Sequence, residues 1–112
     1  LTAPPGIVGL ETAVALAARA MVQSKRAQWP QLIAWLTSGP VAVLGLDPRP
    51  IEVGATANLA LIDPNAQWTV EPGRFQSKGR NTPFAGWTLD SRPLGTIRGR
   101  RWTHAGDPPP AR

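Results

Sequence analysis

Leu44-Gly45-Leu46-Asp47-Pro48-Arg49-Pro50 marks the point where the pattern of the chain changes. Asp47-Pro48 is a turn signal, and two prolines in close succession stop any helix that reaches them. Upstream, apolar residues recur at helical spacing; downstream, they fall in short β-prone runs. Working backwards, Pro40–Leu44 is expected as a short helix with Ser38 or Gly39 as its cap and Gly45 as its stop. Thr37-Ser38-Gly39-Pro40 separates it from a second helix, which starts at Pro30 and carries Leu32, Ile33, Trp35 and Leu36. Farther back, Leu10, Ala13, Val14, Ala17 and Met21 predict a helix from Val8 or Leu10 to Val22, with Glu11 in the first turn, where the helix dipole favours an anion. Alanine at 13, 15, 17, 18 and 20 keeps it slim, suited to close packing on a sheet or another helix. Thr2–Gly6, with adjacent prolines, is a loop.

Working forwards from Pro50, Ala57–Ile62 reads as a strand closed by Asp63-Pro64-Asn65, and Gln67–Val70 as a second strand. Glu71–Pro83 is irregular and basic. Trp87–Leu89 and Leu94–Ile97 are expected as strands, the latter pairing with Arg100–Thr103 across Arg98-Gly99. The tail from Asp107, through Pro108-Pro109-Pro110, is expected to fray. The fold class is therefore α/β, helical first and β second, with the split near Asp47 resembling a boundary between two substructures. No internal repeat is present.

Composition narrows the function classes. The chain has 112 residues, thirteen of them proline and eleven glycine, so many turns and few long elements are expected. Absence of cysteine removes disulfides and thiolate metal sites, and fits a cytoplasmic protein. No apolar run approaches the roughly 20 residues that a membrane span requires. The start lacks a basic region, so no signal peptide is expected there. Leu1 opens directly onto a loop, as a piece cut from a longer polypeptide would. The net charge of +5 is concentrated in the second half, at Arg74, Lys78, Arg80, Arg92, Arg98, Arg100 and Arg101. No recognition helix, zinc finger or aromatic–glycine RNA-binding signature accompanies them, so no nucleic-acid partner is expected. They read as a solvated surface, or as a patch facing an acidic partner or another part of the same protein.

Local chemistry gives no active site. Metal-assisted hydrolysis needs several His, Asp, Glu or Cys ligands at one point. The chain has one histidine, His104, and seven carboxylates: Glu11, Asp47, Glu52, Asp63, Glu71, Asp90 and Asp107. They are scattered, mostly at turns and caps, and no catalytic or metal-ligating residue is assigned. Of the five tryptophans, Trp35 falls on a helix and Trp68, Trp87 and Trp102 in or beside strands, whereas Trp29 is expected to be exposed.

Four blocks carry a family resemblance. Ala3-Pro4-Pro5-Gly6-Ile7-Val8-Gly9-Leu10-Glu11-Thr12-Ala13 resembles bacterial dihydroorotases just after the last catalytic strand of their metal-binding barrel. Asn81-Thr82-Pro83-Phe84-Ala85-Gly86-Trp87-Thr88-Leu89, preceded by Ser77-Lys78-Gly79-Arg80, is similar to a block near the C-terminus of the same family. Between them, Thr37–Leu46 resembles a helix found across amidohydrolases, and Ile51–Leu59 resembles their entry into a strand. The first and last blocks are specific to dihydroorotase; the middle two mark the wider superfamily. Departures are Gly39 where the superfamily has Asn, Thr56 and Asn58 where it has Asp, and Pro5 where an aromatic is frequent.

The resemblance implies the C-terminal part of a (β/α)₈ metal-dependent barrel in residues 1–46. Strands of a small composite β-sandwich would follow in 47–106, and a disordered tail in 107–112. It implies zinc in the full-length enzyme, with the ligands and the catalytic Asp upstream of Leu1, and reversible interconversion of dihydroorotate and N-carbamoyl-L-aspartate. It also implies substrate contact through the backbone at Pro5 and Gly6, and a possible homodimer or aspartate transcarbamoylase complex. A non-catalytic scaffold subunit of aspartate transcarbamoylase is the alternative from another class. Allantoinase and dihydropyrimidinase are the sister enzymes, against which the Asn81–Trp87 block argues.

Overall fold

The computed structural model describes residues 6–104; the loop expected at Thr2–Pro5 and the tail from Asp107 lie outside them. Helix α1 (Ala13–Ala17) starts later than the apolar spacing suggests. A turn at Gly9, whose carbonyl accepts from the Thr12 and Ala13 amides at 3.1 and 2.8 Å, precedes it. Glu11 consequently stands ahead of the first turn rather than in it. The helix continues into a π-helical segment, Ala18–Gln23, and is closed by Lys25 at φ +60°.

Helix α2 (Trp29–Leu36) opens with a reciprocal capping box between Gln28 and Gln31, and Pro30 sits in its first turn, where no amide is missed. Trp29, expected to be exposed, is half-buried as its first residue. Helix α3 (Ser38–Val43) follows at once, so Thr37, not Ser38 or Gly39, occupies the cap position. It ends as expected at Gly45, where φ of +63° lets the Leu46 amide reach Val41 O at 3.0 Å and the Gly45 amide reach Ala42 O at 3.3 Å.

The strands are fewer and longer than the local signals imply. Strands β1 (Asn58–Thr69), β2 (Thr88–Arg98) and β3 (Arg101–His104) form one antiparallel sheet in the order β1-β2-β3. Asp63-Pro64-Asn65 does not end a strand. Pairing passes from Asp63 with Arg92 directly to Gln67 with Asp90, leaving Pro64, Asn65 and Ala66 bulged opposite Ser91. The turn chemistry acts locally: Asp63 Oδ1 accepts from the Asn65 and Ala66 amides at 2.9 and 3.1 Å. Ser91 answers from the other strand at φ +72°, donating its hydroxyl to Pro64 O at 3.2 Å. Pro93 lies beside a second register shift, so both prolines sit where the ladder is already broken. The β2–β3 hairpin closes through Gly99-Arg100, with Gly99 at φ +60°.

Ala15, Val70, Phe75 and Leu89 form the buried core, with Val8, Leu16, Trp68 and Phe84 packed around it. The small-residue face of α1 thus lies on β2, and burying each of the larger side chains contributes about 1.5–3 kcal/mol. Helix α2 packs on the second half of the first helix and on α3. Beyond it Val43, Leu44, Leu46, Ile51 and Val53 are all exposed. The radius of gyration, 15.7 Å, accordingly exceeds the ~13 Å of a compact chain of this length. Among the described residues no helix is long and apolar enough to cross a membrane.

Gly95 is buried where β2 faces β3, and an added Cβ would lie 2.8 Å from two carbons of the Trp102 ring and closer still to the Thr103 carbonyl oxygen. Gly95→Ala is expected to cost roughly 1–3 kcal/mol, read as a lowered denaturation midpoint; a midpoint equal to the parent's would show that β3 yields freely.

Candidate functional site

Two loops far apart in sequence meet at the edge of the fold. The first is the lead into α1, residues 6–11; the second, residues 77–81, follows the irregular segment after β1 and its 3₁₀ turn (Pro72–Arg74). Gly6 is exposed at φ +74°, a conformation that favours glycine, and among the described residues nothing beyond its chain neighbours lies within 4 Å of where a Cβ would stand. Backbone geometry, not crowding within the chain, therefore calls for glycine there.

Asn81 grips this loop from both its side chain and its main chain. Its Nδ2 donates to the Gly6 carbonyl, and its own carbonyl accepts from the Val8 amide at 2.9 Å. Gly79 allows the approach, since a Cβ at that position would stand 2.6 Å from Val8 Cγ1. The Arg80 guanidinium donates to the Ser77 and Gly79 carbonyls and folds the second loop on itself.

Glu11 fixes the other end of the contact. Its carboxylate accepts from the Ser77 amide at 2.8 Å and from the Ser77 hydroxyl at 3.0 Å. Burial would raise the Glu11 pKa, but the hydrogen bonds from Ser77, with help from nearby backbone amides, outweigh it and hold the carboxyl below its usual range. Thr12, next in sequence, is fully buried and donates its hydroxyl to Gly9 O at 3.4 Å.

The ground beneath the loops comes from the block that follows Asn81. Trp87 N–H donates to Phe84 O at 3.0 Å across a tight turn in which Gly86 has φ +79°, the third-position geometry of a type II turn. The Val70 amide donates to Trp87 O at 2.9 Å and the Gly86 amide to Val70 O at 2.8 Å, tying the turn to the end of β1. Phe84 meets Trp87 edge-on with centroids 5.2 Å apart, and Arg19 of the first helix lies over the Trp87 ring at 5.1 Å. Cation–π contact at such a partly open site contributes about 0.5–1 kcal/mol.

Of the two site residues expected from sequence, Gly6 stands at this exposed edge and Pro5 lies outside the described residues. Asn81, Glu11, Ser77 and Thr12 were not singled out as site residues. The partners of Gly6 and Glu11 lie 75 and 66 positions away, which no local pattern reveals. His104 stacks edge-on against Trp102 with centroids 4.9 Å apart. Among the described residues, no three His, Cys, Asp or Glu side chains gather as a metal would need. Glu71 pairs with Arg74 at 3.7 Å, and Asp90 accepts from Gln67 at 2.8 Å.

The fold and the paired loops describe a segment that shapes and positions backbone, with no nucleophile, base and acid brought together among the described residues. No protein-family model matches the chain. Among curated proteins it is 44% identical over 99 residues to the dihydroorotase of Syntrophotalea carbinolica, covering 88% of this chain and 23% of that protein. It is 44% identical over 97 residues to the dihydroorotase of Halalkalibacterium halodurans, with 87% and 23% covered. With the dihydroorotase of Shouchella clausii it shares 46% identity over 95 residues, 85% of this chain and 22% of that one. The chain belongs to the dihydroorotase family, and it spans about a quarter of the length of the curated relatives it matches.

Glu11 titrates lower in the folded chain than in the unfolded one, so its contribution is present above the unfolded value and is lost as pH falls through the folded one. Glu11→Gln is expected to lower stability by roughly 1 kcal/mol at neutral pH. The gap between parent and variant should close at a pH well below the ordinary glutamate range. Denaturant curves at the two pH values check this, and a gap of equal size at both would mean that the carboxylate charge plays no part.

Proposed function

We propose that this chain is the C-terminal part of a dihydroorotase, the hydrolase that interconverts dihydroorotate and N-carbamoyl-L-aspartate in pyrimidine biosynthesis. The observation that carries the reading is 44–46% identity to three dihydroorotases over 85–88% of the chain. On this reading the (β/α)₈ barrel, its zinc ligands and the catalytic Asp belong to upstream sequence. Strands β1–β3 form part of a composite β-sandwich, and the enzyme works in the cytoplasm. The exposed apolar run from Val43 to Val53 fits a face that the remaining three-quarters of such a protein would cover. The part played by this chain is positional: backbone groups at Pro5 and Gly6 meet the bound substrate at the mouth of the barrel and orient it.

Zinc would be held elsewhere in the polypeptide, since the described residues offer no gathered ligand set. The isolated chain is therefore expected neither to retain zinc nor to hydrolyse dihydroorotate, and metal analysis finding about one tightly bound zinc per chain would contradict the assignment. In the full-length enzyme, Gly6→Val should raise KM for dihydroorotate, with or without some fall in kcat, and leave the zinc content at the parent level. If kinetics per folded active site stay unchanged while the melting temperature drops, Gly6 shapes a turn and the substrate contact is wrong.

A further inference from the structure

We infer that Asn81 is a positioning residue for the substrate-facing peptide at Gly6–Ile7, and that this peptide presents its N–H to an oxygen acceptor of the ligand. The inference rests on the proposed reading of Gly6 as a substrate contact. A glycine samples positive and negative φ with similar ease, so a glycine that must orient a ligand needs something outside itself to hold it. Gly6 is exposed, and among the described residues no heavy atom beyond its chain neighbours lies within 4 Å of its Cβ position, so packing by them does not supply that hold.

Asn81 does. Its carboxamide donates to the Gly6 carbonyl and its main-chain carbonyl takes the Val8 amide at 2.9 Å, so two points fix the peptides on either side of Ile7. The Glu11–Ser77 pair and the close seat of Gly79 on Val8 anchor the same two loops farther along. In a trans peptide the C=O and N–H point opposite ways, and no peptide of the described chain is cis. With the Gly6 carbonyl turned to Asn81, the Ile7 N–H is turned away from it, beside an Ile7 side chain that is 59% exposed. A donor so placed suits a carboxylate or ring-carbonyl oxygen, and the carboxamide suits the task because it alone among similar-sized side chains offers an N–H to a carbonyl. Aspartate has the same shape but would set acceptor against acceptor.

The test is steady-state kinetics of the full-length enzyme with Asn81→Asp, Asn81→Ala and Gly6→Val, alongside zinc content and melting curves. Both Asn81 variants are expected to raise KM about tenfold, with kcat within about twofold of the parent and zinc unchanged. If Gly6→Val raises KM and the Asn81 variants do not, the positioning role is overturned and the substrate contact stands. If none of the three raises KM, the Gly6 reading falls and the positioning role with it. Hydrogen exchange of the 6–9 segment in the unsubstituted enzyme tests the hold without any variant. Slow exchange of the Val8 amide before substrate is added is expected, and fast exchange would overturn the inference.

Discussion

Ala15 has no exposed surface because the first helix lies directly on β2, and that close approach governs the rest of the structure. Only a helix with small residues on its inner face can come so near a sheet. Leu89 and Val70 then reach across to fill the space, and Phe75 closes one side. The docking also fixes where the chain enters the helix: Val8 packs beside the core, and the preceding glycine is carried to the edge of the fold with it. The site loop is thus held by the same burial that stabilises the domain. A hydrophobic contact and a polar grip share one segment, so the two are coupled: residues in contact through one network do not act additively.

The helical half was legible from sequence because its signals are local. Pro30 at a helix start, Gly45 at a stop and the period of Leu32, Ile33 and Leu36 each act within a turn or two, and α2 and α3 fall where these residues place them. Two local readings failed: a turn at Gly9 precedes α1, which starts later than the apolar spacing suggests, and the direct succession of α2 and α3 put Thr37 at the cap. In the β half the individual β-prone runs were correct, but their connection was not. Asp63-Pro64-Asn65 has the residues of a reversal, and what it makes is a bulge. The decision lay with Ser91, which accepts φ +72° and bonds Pro64 from the neighbouring strand. A serine in that conformation carries no sequence mark, because left-handed backbone is associated with glycine and asparagine.

The candidate site was legible in part for a different reason. The two segments that form it stood out as the blocks specific to one family, yet nothing in their residues says that they touch. Asn81 was visible as a motif letter, not as the partner of Gly6. Loops of this kind are read from composition only as polar and irregular, whereas their role depends on which carbonyl meets which amide across more than 60 residues. Long-range backbone pairing is the information that a period or a propensity does not contain.

The contrast between the two ends of the molecule follows from this. Around α1 and β2 nearly every polar group that is buried has a partner, down to Thr12 and Ser91, and the exception is the Trp68 indole N–H, which meets no acceptor among the described residues. An unmatched buried donor costs about 1–3 kcal/mol. Between the end of α3 and the start of β1 the opposite holds: apolar side chains stand in solvent, Val53 fully so. A chain that satisfied only itself would bury those side chains first, since each offers more stabilisation than the small core residues it already buries. Instead Ala15, Ala18 and Ala27 are buried while Val43, Leu44, Leu46, Ile51 and Val53 stay exposed. An exposed apolar stretch of this kind marks a surface suited to contact, in a chain that spans about a quarter of the length of its curated relatives.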